Sequence, residues 1–394
     1  MDRTRFRLPM PALAAALALA TLTLGGCNLF KSPTRENVEP PAELTEFAPT
    51  RTIERLWTQR MGKGEKRLGL RRSIGVSAGR VLAATLEGEA VALDAATGRT
   101  LWLTETGLRL SSTPGAGEGT VVIGALDGEV IALDEGTGNE RWRAKVSSEV
   151  VAAPAVDRGL AVVRANDGRM FGFDLASGER RWVFDRGLPT LTLRGNGPPL
   201  ARGGAVFAGY DDGTVVALRI DDGALVWEAM VAEPSGRTDL DRMVDVDGQL
   251  EMAGAELFAA AYGGQVMGLA AENGSQRWAR EMSAYGGLAL AGDRLVVADA
   301  AGTVWALSLT DGSALWKQDA LAWRWLSSPA VLDGTVVVGD FEGYLHWFDL
   351  ESGRPAARTR MGKNPIRARP VAAGGIVYAV NTNGEIGAYR AGGG

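Results

Sequence analysis

The chain has 394 residues, one cysteine and one histidine, with 42 basic against 47 acidic residues and a net charge of −5. That length supports a large core, and the charge balance excludes the basic stripe that marks a nucleic-acid surface. A single cysteine excludes an internal disulfide framework, and a single histidine leaves no zinc ligand set.

Residues 1–26 read as an export signal. Arg3, Arg5 and Arg7 precede Leu8–Gly26, an uncharged stretch rich in Ala and Leu that is too short and too early for a membrane span. It ends Leu24-Gly25-Gly26-Cys27, which resembles the lipobox of bacterial lipoproteins, in which the cysteine is lipidated and becomes the mature N-terminus. Asn28 replaces the aspartate that commonly retains such proteins in the inner membrane. The resemblance therefore implies an outer-membrane anchor facing the periplasm. Residues 27–50 are polar, with prolines at 33, 40, 41 and 49, and read as the lipidated cysteine and an extended tether.

From residue 51 the chain repeats itself. Gly128–Trp142, GEVIALDEGTGNERW, has copies at 88–102, 168–182, 213–227 and 302–316. Each is a turn glycine, an alternating apolar run, a second glycine turn and a short segment ending in Trp. That is the pattern of a strand hairpin. The first glycines (88, 128, 168, 213, 264, 302, 343 and 384) are spaced by 40, 40, 45, 51, 38, 41 and 41 residues. Small, often Pro-containing entries and β-branched runs supply two further strands per period. Four strands per forty residues predict an all-β, eight-bladed propeller over 51–394.

The eighth copy stops soon after Tyr389. Arg51–Gln59 is an orphan strand with Trp57 at the repeat position, and pairing it beside the last blade closes the ring. Tryptophans 57, 102, 142, 182, 227, 278 and 316 share that position and read as aromatic cement between blades. The seventh copy, ESGRPAAR, has Ala357 there and is expected to be the weakest joint.

Two periods are too long, and in repeat folds such excess maps to loops on one face. One contains residues 186–199, RGLPTLTLRGNGPP, with Leu191, Leu193 and Arg194. The other contains residues 233–250, EPSGRTDLDRMVDVDGQL, with Asp239, Asp241, Asp245 and Asp247. An exposed alternating strand beside an acidic loop suits capture of another chain by strand addition and ion pairing. The other reading is a normal core strand beside a solvated loop.

The lipobox, the eight repeats closed by an N-terminal strand, and the pair LTLRG and TDLDRMVDVD together resemble the BamB family. Its members are lipoproteins of the complex that folds β-barrel proteins into the outer membrane. The resemblance covers essentially the whole chain and implies a scaffold without catalysis. It also implies that Leu191, Leu193, Arg194, Asp245 and Asp247 contact the periplasmic POTRA domains of BamA, and it leaves room for contact with unfolded outer-membrane proteins.

The repeat also resembles quinoprotein dehydrogenases, propellers that carry pyrroloquinoline quinone with Ca²⁺. Residue chemistry disfavours that alternative, because those enzymes use paired cysteines over the cofactor and Cys27 is alone. Asp-Gly pairs at 127–128, 167–168 and 212–213 read as turns. Asp245-Val246-Asp247-Gly248 lacks the bidentate acid that would complete a calcium loop. His346 reads as a packed strand residue. Trp323 and Trp325 read as core packing, with an aromatic patch near the channel mouth as their other use. No cofactor or metal is expected.

Overall fold

The computed structural model describes residues 39–65, 68–187, 197–234, 237, 243–284 and 286–392. These residues form eight four-stranded antiparallel sheets. In each blade the second and third strands are buried on both faces, because every sheet is sandwiched between its neighbours, while the innermost strand is mostly half-buried. Glu129–Asp134, for example, buries its four central residues, Val130, Ile131, Ala132 and Leu133. The outermost strand differs. Glu140–Lys145 alternates polar positions outward around one buried Trp142.

Ring closure follows the sequence expectation. Thr52–Arg60 pairs antiparallel with Glu385–Gly392, so the chain's first described strand completes the sheet begun by its last three. That pairing occupies what would otherwise be an open sheet edge.

The repeat tryptophans latch one blade to the next. The indole N–H of Trp57, Trp102, Trp142, Trp182, Trp227, Trp278 and Trp316 each donates to a carbonyl of the following blade, at 2.7–3.0 Å. Each ring also lies on the second turn glycine of that blade. At Gly138 a Cβ would sit 2.6 Å from the Trp102 ring, and φ is +74°. Glycine is required there for both the approach and the left-handed conformation.

At the expected weak joint, Ala357 stands at the repeat position and the indole is displaced to the adjacent strand. Elsewhere a small residue on the third strand faces the repeat Trp, as Ala132 faces Trp142. In the seventh blade the pair is exchanged: Trp347 faces Ala357 and is itself buried against Tyr389. The eighth blade also has no third-to-fourth-strand hairpin on which an indole could dock, since its fourth strand comes from the N-terminus. Instead, the N–H groups of Thr50 and Arg51 donate to Ala356 O at 2.9 and 3.1 Å.

The compact unit begins at Pro41. Residues 41–50, which composition alone places in the tether, lie along the sixth and seventh blades. Ala42 N–H donates to Ala322 O at 2.9 Å, Leu44 packs against a core cluster containing Leu321 and Phe348, and Arg358 lies over the Phe47 ring. Three apolar or backbone anchors in ten residues outweigh the proline-rich composition.

Strand direction alternates within every blade, so the connections from an outermost strand to the next innermost strand all emerge on one face. The second inserted segment and the loop carrying Trp323 and Trp325 both belong to this set.

Candidate functional site

The second inserted segment re-enters the described chain at Met243. Its sequence Val244-Asp245-Val246-Asp247 alternates like a strand, and the structure uses the alternation. Val244 and Val246 enter a core cluster between the fourth and fifth blades, which turns the two aspartates the other way. Asp245 forms an isolated bridge with Tyr262, accepting from its N–H at 2.8 Å. Val246 O approaches Gly209 so closely that a Cβ there would lie 2.2 Å away. The segment is thus held by its backbone and its valines, with its carboxylates left over.

Those carboxylates meet a third. Asp211, in the turn after Ala205–Gly209, has an oxygen within 4.8 Å of oxygens from Asp245 and Asp247. Arg164, with a fully buried side chain, lies 3.6 Å from Asp211. Its Nη1 donates to Gly209 O at 2.6 Å and to Gly197 O at 3.4 Å, and its guanidinium lies over the Tyr210 ring. Arg186, at the base of the first inserted loop, also lies over Tyr210 and pairs with Asp212 at 2.6 Å and Glu228 at 2.9 Å. The network joins the third and fourth blades to the base of both insertions. Asp245 and Asp247 line a cavity of about 390 Å³ together with Arg71, Arg367 and Arg369.

The charge balance is uneven. Burial pushes the Asp211 carboxyl up to about 6, with Arg164 opposing and Asp247 and Asp212 adding to the rise. Burial likewise raises Asp245, helped by Asp247 and Asp211. Asp245 is only 3 % exposed, and its one side-chain partner is the neighbouring acid Asp247, with no basic group bonded to it. Asp247 is also raised by burial, but Asp245, Arg164, Arg71 and the N–H of Gly197 pull it back. The arrangement is therefore a proton-sharing pair with Asp245 as the protonated member. Three oxygens so close can share either a proton or a cation. Among the described residues none here is arranged as a nucleophile beside a base.

Of the residues implicated by the sequence, Asp245 and Asp247 are brought together at this cluster. Cys27, Leu191, Leu193 and Arg194 lie outside the described residues. Arg164 and Asp211 were not singled out by sequence reasoning, yet Arg164 carries a visible signal. The last residue of the second strand is Ala84, Gly124, Gly209, Ala260, Ala298, Gly339 or Val380 in the other blades, and only the third blade has a charge there. His346 is buried in the strand Tyr344–Asp349 as expected. Trp323 and Trp325 are a correction: they are 40 % and 60 % exposed rather than part of a core.

Fold and site define a class first: an eight-bladed propeller of tryptophan-latched repeats whose distinctive chemistry is a buried carboxylate cluster at an insertion. The sequence profile described as outer membrane protein assembly factor BamB matches residues 43–114 and 92–318. The chain is 42 % identical over 392 residues to the assembly factor BamB of Xanthomonas campestris pv. campestris, covering 95 % of this chain and 97 % of that one. It is 43 % identical over 376 residues to that of Pseudomonas aeruginosa, covering 95 % and 98 %. The crystal structure of BamB from Moraxella catarrhalis superposes with a TM-score of 0.79 at 25 % identity, covering 86 % of this chain and all of that one. The chain belongs to the BamB family of outer membrane protein assembly factors.

Proposed function

We propose that the chain is a non-catalytic scaffold subunit of the machinery that assembles β-barrel proteins in the outer membrane. It is anchored through lipid on Cys27 to the periplasmic side of that membrane. Asp245 and Asp247, with Leu191, Leu193 and Arg194, hold the periplasmic POTRA domains of BamA. Its action is contact and steric organisation, with no chemical step.

The observation that carries this reading is the Val-Asp-Val-Asp segment. Core valines and backbone bonds fix it, while its carboxylates are turned into a cavity and lack full internal compensation. A purely structural loop gains nothing from a buried carboxyl whose bonded partner is another acid, because incompletely satisfied buried polar groups are costly. A preorganised acidic element that receives cations from a partner accounts for the arrangement.

Co-purification tests it. Asp245→Asn/Asp247→Asn and Arg194→Glu variants are expected to lose BamA while the propeller melts normally, and wild-type recovery of BamA by both would sink the reading. Mass measurement of the membrane-extracted chain is expected to show acyl mass that Cys27→Ser removes; an unmodified cysteine would remove the anchor.

A further inference from the structure

Six described residues other than glycine have a positive φ. Four of them (Ala78, Glu118, Arg158 and Asp333) immediately precede a glycine in the tight hairpin between the first two strands of a blade, where the turn itself demands that conformation. The other two are Trp323 (φ 59°), at the third position of a turn closed by Arg324 N–H on Leu321 O at 3.1 Å, and Trp325 (φ 49°), which lies beyond that turn. Bulky side chains are rare outliers there, and strain of this kind persists only where surrounding structure enforces it.

The enforcing structure is Arg324. Its side chain points inward, 3 % exposed, between two outward rings. Its Nε donates to Asp340 Oδ2 at 2.9 Å, its Nη2 pairs with Glu342, and its Nη1 donates to Ala42 O at 3.0 Å. Leu321 and Leu326 are buried on either side. Two large indoles are thereby pushed into solvent by a residue between them that is locked in place.

The position of the loop points to what covers it. Ala42, at the beginning of the compact unit, is bonded to Ala322 and to Arg324, so the N-terminal chain leaves the propeller beside the two rings. Fourteen residues lie between Cys27 and Ala42, so an extended chain there spans at most roughly 50 Å. Tryptophan is the side chain most suited to the headgroup boundary of a bilayer, having an apolar body and one polar N–H.

We propose that Trp323 and Trp325 are a membrane-interface contact: they enter the phospholipid headgroup region and orient the propeller against the bilayer to which Cys27 ties it. This rests on the lipid-anchor reading above. The loop shares a face with the Asp245 segment but lies between the sixth and seventh blades, whereas that segment lies between the fourth and fifth. A bilayer and a protein partner would therefore occupy neighbouring sectors of one face.

The test separates the two readings. The chain from residue 27 keeps the whole compact unit and a unique thiol. That thiol adds across the double bond of a maleimide-headgroup lipid in phosphatidylethanolamine–phosphatidylglycerol vesicles, supplying a tether whether or not the cell lipidates Cys27. With acyl chains brominated near the headgroup, tryptophan emission is expected to fall by about the share of two rings in eleven. Trp323→Ala/Trp325→Ala is expected to reduce that quenching several-fold at an unchanged melting temperature. Trp325→Ala alone, removing the more exposed ring, is expected to give an intermediate value. Absence of quenching in the tethered wild type, or wild-type quenching in the folded double variant, overturns the proposal. Unchanged quenching with lost BamA recovery would likewise overturn it and make the loop a protein contact. Failure of native lipidation is read separately, by mass.

Discussion

Two buried ionic clusters sit at connections on the same face of this ring, and they are built on opposite principles. Around Arg324, the guanidinium meets Asp340 and Glu342, and Asp340 Oδ2 also lies 3.0 Å from His346 Nε2. The other oxygen of Asp340 accepts from the N–H groups of Glu342 and Tyr344, both at 2.9 Å. Burial alone would raise Asp340, but these partners hold it below the ordinary aspartate value. Around Arg164, the guanidinium spends its Nη1 on backbone carbonyls and stands 3.6 Å from one of three carboxylates. There burial wins, and all three acids are raised. One cluster is finished inside the chain and the other is not. The contrast separates a structural lock from a site that can accept something from outside.

The comparison is broken most severely by Arg324→Ala. The substitution strands a buried carboxylate and releases both the tryptophan loop and Ala42. Breaking a buried ion pair by removing one partner costs about 3–5 kcal/mol, and a loss at the upper end is expected because three partners go at once. Thermal or urea unfolding measures it. A change within about 0.5 kcal/mol would mean that the lock holds nothing.

Acid distinguishes the clusters by sign. Asp340 has a depressed value in the folded state, so the stability it contributes is present at neutral pH and is lost as pH falls through that depressed value. Asp211 is raised to about 6 from an ordinary 3.8, so between those values the folded chain keeps a proton that the unfolded chain has released. Its contribution is fully present below the unfolded value and is lost as pH rises towards 6, by up to about 3 kcal/mol. Asp211→Asn is expected to remove that component. The variant's melting temperature, compared with wild type between pH 4 and 7, should gain with rising pH. Asp340→Asn should instead be worst near neutrality and approach wild type in acid. Parallel pH curves for the two variants would remove the distinction.

Much of this was legible in the sequence because the repeat is a ruler. Turn glycines and tryptophans recur at fixed offsets, so blade number, closure by residues 51–59 and the excess at 233–250 follow from counting. Counting does not reach partners brought together across blades. Asp211 reads as one more turn aspartate next to Asp212, and only the folded ring places it against Asp245 and Asp247. Arg324 is hidden between two tryptophans whose outward orientation depends on Asp340, sixteen residues later. Residues 41–50 fail differently: prolines describe a chain that avoids regular structure, and this segment does so while still packing. Ala357 shows the limit of a repeat consensus, since the missing indole is supplied by Trp347 on the adjacent strand.

The smallest expected change in stability sharpens the comparison most. Asp245→Asn keeps the shape of the side chain and removes the charge whose burial raises its own proton affinity. Because the folded state already favours the protonated carboxyl, the amide resembles the species present. The cost is expected to be below about 1 kcal/mol, since the amide N–H₂ can still donate to Asp247 as the protonated carboxyl does. The same exchange at Asp340 removes a charge that Arg324 and His346 compensate, and it should cost clearly more. The two amides therefore assign the clusters independently of any partner: unfolding free energies for Asp245→Asn and Asp340→Asn, measured side by side at neutral pH, should differ by at least about 2 kcal/mol. If BamA recovery falls only with Asp245→Asn, the chain's uncompensated acids carry the contact. If Asp245→Asn destabilises as much as Asp340→Asn, the Asp245 cluster is a second lock and the partner must be held elsewhere.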